Sequence, residues 1–180
     1  MGLHFNIHIA FAGNRRTGQS LAVLQKCLID CGFKDHSKGA EPQTFKCIVF
    51  MKNGSTLDLR TIDEVDVSNQ VDFVSVTMSH EQALDMTPSY GFELIICFSD
   101  SLSIESIDIR TKLLPCSVSE AYEQKILLSL QELAVSIYKS LGASSVYAKL
   151  DDEWVNPDPY FYIDGENSCL LTKHDLPLKN

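Results

Sequence analysis

The sequence predicts an α+β protein with a largely antiparallel β-sheet and two main helices, at about 17–31 and 118–141, packed on it. Three observations carry that prediction. Strand-like alternation recurs along the chain without trading places regularly with helical segments, the pattern of α+β rather than α/β folds. Asn53-Gly54 separates two apolar runs, a strong short-range hairpin signal. Two stretches hold apolar residues at helical spacing, and each is followed by a glycine positioned as its stop, Gly32 and Gly142.

Taken in order, residues 3–11 alternate, with Leu3, Phe5, Ile7, Ile9 and Phe11 on one face and His4, Asn6, His8 and Ala10 on the other, as a half-buried strand does. The first helix follows the turn GNRRTG and aligns Leu21, Leu24, Leu28 and Cys31. Residues 34–43 are polar, with Gly39 and Pro42, and read as a loop. Thr44–Met51 and Ser55–Arg60 form the arms of the Asn53-Gly54 hairpin, and Val71–Met78 alternates again. Phe92–Phe98 (FELIICF) is almost wholly apolar and reads as a central strand covered on both faces. Residues 101–115 mix strand and helical spacing before Pro115 and are assigned to an edge strand. In the second helix Ile126, Leu127, Leu130, Leu133, Ala134, Ile137 and Leu141 make one stripe, and Val146–Leu150 reads as the last strand.

The chain is expected to form one globular domain over 1–180, with 151–180 an irregular acidic and aromatic C-terminal segment. A length of 180 residues lets it bury roughly two thirds of its unfolded surface without staples. Apolar residues at 44% and charged residues at 22% are ordinary for a soluble globular chain. No apolar run approaches the roughly 20 residues that span a bilayer, so no membrane association is expected. MGLHFNIHIAF has neither a cationic n-region nor a continuous apolar h-region, and Asn6 stands where a myristoylation signal wants Ser or Thr. Six cysteines (27, 31, 47, 97, 116 and 169) at unrelated spacings suit reduced thiols and a cytoplasmic location.

Charge is segregated. Residues 1–60 hold eight Lys and Arg against four Asp and Glu, whereas residues 61–180 hold seven against twenty. From Thr61 to Ile109 there are ten carboxylates and no Lys or Arg. Such a balance repels the phosphates of nucleic acid and attracts basic proteins.

Four constellations bear on chemistry. Gly13-Asn14-Arg15-Arg16-Thr17-Gly18-Gln19-Ser20 has the glycines and hydroxyl of a phosphate-binding loop, but Gln19 replaces the lysine that must reach the β/γ-phosphates. Arg15, Arg16 and Thr17 at the head of the first helix remain a candidate anion site. His4 and His8 lie on one strand face roughly 13 Å apart, too far to share a metal ion. Cys27 and Cys31 sit at i, i+4 with His36 beyond but lack a fourth ligand, so core packing is expected and no metal. The run 151–166 joins six carboxylates, the only Trp and three more aromatics without a cation. Within it Asp151, Asp152, Glu153, Trp154, Asp158, Tyr160 and Tyr162 are the candidate partner-binding residues, aromatic anchors among steering carboxylates.

No intact motif for a nucleophile, a metal or a nucleotide is present. The expected function is therefore a non-catalytic acidic binding protein of the inhibitor or immunity type, which neutralises a basic protein such as a bacterial toxin and needs no cofactor. Two alternatives stand beside it: a small-ligand or phosphate-handling enzyme using the GNRRTGQS turn, and a structural homo-oligomer, a homodimer in its simplest form.

Overall fold

A computed structural model describes residues 4–13, 17–35, 46–68, 70–80, 92–112, 120–150 and 159–172. Ten strands form one antiparallel sheet in the order β10-β9-β8-β1-β7-β6-β5-β3-β4, with β2 paired to β5 off that path. In chain order they are β1 (His4–Ala10), β2 (Phe33–Asp35), β3 (Lys46–Met51), β4 (Thr56–Leu59), β5 (Val71–His80), β6 (Phe92–Phe98), β7 (Ile104–Lys112), β8 (Ser145–Leu150), β9 (Phe161–Asp164) and β10 (Asn167–Cys169). The helices are α1 (Thr17–Asp30) and α2 (Glu120–Leu141), and a short 3-10 turn covers Ile62–Glu64. The α+β architecture read from the sequence is the one observed. No helix among the described residues is long and apolar enough to cross a membrane.

One face of the sheet is apolar because alternate residues of every long strand are. Register carries one line of buried side chains through Ile163, Val146, Ile9, Ile107, Ile96, Val74 and Val49, and the next through Phe161, Ala148, Ile7, Ile109, Leu94, Val76 and Cys47. Leu21, Leu24, Cys27 and Leu28 of α1 and the α2 stripe from Ile126 to Leu141 complete this core. All seven expected stripe residues of α2 are buried. Each buried aliphatic side chain contributes about 1.5–3 kcal/mol by leaving water.

Glycine ends both helices. Gly32 and Gly142 take φ of +80° and +58°, a region costly for other residues. After Gly142 the Ala143 N–H donates to the Tyr138 carbonyl at 3.0 Å, closing a Schellman motif. The β3–β4 connection is Lys52-Asn53-Gly54-Ser55, with Gly54 at φ +83° and Asn53 Oδ1 accepting from the Ser55 N–H at 2.9 Å.

Four local expectations are corrected. Ile104–Lys112 is a central strand between β1 and β7's other neighbour β6, not an edge. A register shift opposite Cys97 and Phe98 adds one residue near Glu105, so Ile104 and Ile107 are both buried, which is the mixed spacing seen in the sequence. Strand β6 is covered on one face only: Leu94 and Ile96 are buried, Glu93 is exposed, and Ile95 and Cys97 are half-buried. Lys34 and Asp35, the first two residues of the expected 34–43 loop, belong with Phe33 to β2, which pairs with the end of β5. Finally, β8 is not the last strand. Phe161 and Ile163 face the core, Tyr162 and Asp164 do not, and Gly165 at φ +59° turns the chain into β10.

Candidate functional site

The helices occupy one face of the sheet, so the side chains of opposite parity form a second face that no described helix covers, called the open face below, on which Ser75 is nonetheless buried among its neighbours. Register pairs run a central line across eight strands: Tyr162, Tyr147, His8, Asp108, Ile95, Ser75, Ile48 and Asp58. Towards one end of the strands the next line is Asp164, Ser145, Ala10, Ser106, Cys97, Phe73, Phe50 and Thr56. Towards the other it is Lys149, Asn6, Arg110, Glu93, Thr77 and Lys46. At about 4.8 Å per strand the central line is roughly 34 Å long.

Two regions stand out. On β3, β5 and β6 the exposed parity is apolar: Ile48, Phe50, Phe73, Ile95 and Cys97 are all half-buried and none belongs to the core cluster. The Phe50 and Phe73 rings stack at 4.4 Å and 14°. On β9, β8, β1 and β7 the same parity is aromatic and polar. Tyr147 and Tyr162 face each other across the strands with centroids 6.4 Å apart and planes 15° from parallel. Tyr147 Oη donates to Asp164 Oδ2 at 2.7 Å. That bond raises the Tyr147 phenol above its ordinary value, because the carboxylate accepts the proton and repels the phenolate. Beside Tyr147, His8 Nδ1 lies 2.7 Å from Asp108 Oδ1. With an ionised carboxylate the imidazole Nδ1–H is the donor.

Cys31 and Cys47 are unsuited to nucleophilic work. Burial, then the neighbouring Cys27, pushes Cys31 up to about 11, and burial with Glu64 pushes Cys47 up to about 12. Cys27 is itself buried in the core, as its place on the helix face implies. Among the described residues no group of three or more His, Cys, Asp or Glu is arranged to hold a metal ion.

The candidate residues fare unequally. Asp151, Asp152, Glu153, Trp154 and Asp158 lie outside the described residues, as do Arg15 and Arg16; Thr17 opens α1. The strand that leads to the GNRRTGQS turn is antiparallel to both its neighbours, unlike the parallel strand that feeds a phosphate-binding loop. Tyr160 and Tyr162 are separated by the sheet. The Tyr160 ring packs edge-on against Phe5 at 5.6 Å and 86° on the core side, whereas Tyr162 is on the open face. Tyr147, Asp108 and the apolar group on β3, β5 and β6 were not singled out from the sequence; it marks His8 only with His4 as a metal ligand, and Asp164 only as one carboxylate of the run 151–166. Their signal was parity, visible in FELIICF, whose second face carries Ile95 and Cys97 where a solvated strand would carry polar residues. Comparison with protein-family models and with curated proteins finds no match.

Proposed function

We propose that the protein is a non-catalytic binding module of the inhibitor or immunity type that captures a basic protein partner across the open face of its sheet. The observation that carries this reading is the character of that face. Stacked phenylalanines and two isoleucines form an apolar group on β3, β5 and β6, and a pair of near-parallel tyrosines on β8 and β9 shares the same face, across the polar His8 and Asp108 of β1 and β7. Contiguous apolar and aromatic surface rimmed by polar groups is the usual sign of a protein contact. Charge supports the sign of the partner. The chain carries a net −9, and Asp164, Asp108, Glu93 and Asp58 lie on the open face, where Lys149, Arg110 and Lys46 hold register positions along one side. Long-range attraction of a cationic protein to such a surface speeds encounter and weakens with salt.

The test compares the wild-type protein with Ile95→Asp as baits in a native lysate at low and high salt. The reading expects a stoichiometric basic protein on the wild type, less of it at high salt, and none on Ile95→Asp. Equal capture by both baits, with Ile95→Asp folded by circular dichroism, contradicts it.

A further inference from the structure

We propose that Tyr147, Tyr162 and Asp164 form the receptor for an arginine side chain of the protein partner; the inference rests on the partner reading above and specifies its chemistry. A guanidinium is planar, stacks on aromatic faces and can bind a carboxylate through two parallel N–H donors, whereas an ammonium offers only a point charge. Both halves of that recognition stand together here. Tyr147 and Tyr162 hold facing positions on β8 and β9, with rings 15° from parallel. Asp164 is exposed at the end of β9, and its Oδ2 is engaged by Tyr147 Oη at 2.7 Å. That hydrogen bond holds the carboxylate beside the rings; among the described residues only Tyr147 bonds it, so Oδ1 and the second lone pair of Oδ2 can accept the two parallel donors of a guanidinium.

The local charge favours a cation. Glu166, two residues on in the β9–β10 turn, is exposed. Asp164 pairs with Ser145, and the nearest cation in register among the described residues of β8 is Lys149, four residues further along the strand, or about 13 Å. His8, the other neighbour of Tyr147 in register, is held by Asp108. A partner's arginine therefore meets a carboxylate with no ion pair of its own among the described residues.

Hexa-arginine and hexa-lysine peptides, titrated into the full chain by calorimetry at moderate salt, test the assignment. Hexa-arginine is expected to bind several-fold more tightly than hexa-lysine. Asp164→Asn and Tyr162→Leu should each weaken hexa-arginine by about tenfold or more, the loss of a charge-assisted hydrogen bond or of its stacking plate. Asp100→Asn, at the β6–β7 turn, should leave binding unchanged, and Tyr147→Phe provides a variant that keeps both rings if Tyr162→Leu fails to fold. Equal binding of the two peptides, or an equal loss from Asp100→Asn, overturns the assignment. If Asp164→Asn leaves hexa-arginine binding intact while Ile95→Asp still abolishes capture of the protein partner, the arginine receptor is wrong and the open-face reading stands. If Ile95→Asp leaves capture intact, it is the open-face reading that fails.

Discussion

Gln131 of α2 grips the backbone of Leu171: its Nε2 donates to the Leu171 carbonyl at 3.0 Å, and its Oε1 accepts the Leu171 N–H at 2.6 Å. The amide thus pairs with the chain beyond β10 as a neighbouring strand would. Gln131 is a buried polar residue, so both of its hydrogen-bonding groups are satisfied where water is excluded. Replacing it with Leu strands the Leu171 N–H and carbonyl. The expected cost is about 1–3 kcal/mol in urea unfolding, with faster amide exchange at Leu171.

Gly142→Ala places a Cβ at φ +58° and strains the Schellman turn that closes α2. A loss of about 1–2 kcal/mol is expected from the left-handed conformation, read as a lower midpoint of urea unfolding with unchanged slope. An unchanged midpoint would mean that the turn relaxes to another conformation.

Both helix stops and the α2 stripe were legible in the sequence, because glycine termination and 3.6-residue spacing are local properties. The open face was only half legible. Parity assigns Ile95 and Cys97 to the face opposite Leu94 and Ile96, but whether a second layer covers that face is decided by where α1 and α2 pack, which spacing along β6 does not encode. Bulges hid more. The extra residue near Glu105 broke the period of β7 and made a central strand read as an edge. Tyr160 and Tyr162 looked like one aromatic cluster until pairing with β8 sent them to opposite faces.

Thiol chemistry should divide by burial. Cys169 is exposed and Cys27 and Cys47 are buried, so Cys169→Ser should remove one equivalent from the fast phase of a thiol-disulfide reagent at pH 8. Alkaline stability follows from the raised thiols. Cys31 and Cys47 stay protonated in the fold to about 11 and about 12, whereas unfolded thiols ionise near the ordinary 9.0. Above that value the unfolded chain releases protons that the fold retains, so stability present below pH 9 falls as pH rises towards 11–12. Cys47→Ala should flatten this decline.

Tyr147 offers a direct test of its bond to Asp164. Because that carboxylate raises the phenol, Asp164→Asn should bring the Tyr147 titration down towards 10.0, read by NMR of ring-labelled tyrosine. A Tyr147 titration unmoved by Asp164→Asn would show that the pair is not formed in solution.

The central claim is that a basic protein partner seats on the open face of the sheet. It is tested most directly by calorimetry of the captured partner against wild-type, Phe73→Asp and Ile95→Asp proteins matched for thermal midpoint. A charge at the middle of such a contact should weaken binding by about 30-fold or more, the loss of a hot spot worth roughly 2 kcal/mol. Affinities equal to wild type in both folded variants would contradict the account and move the contact off the open face.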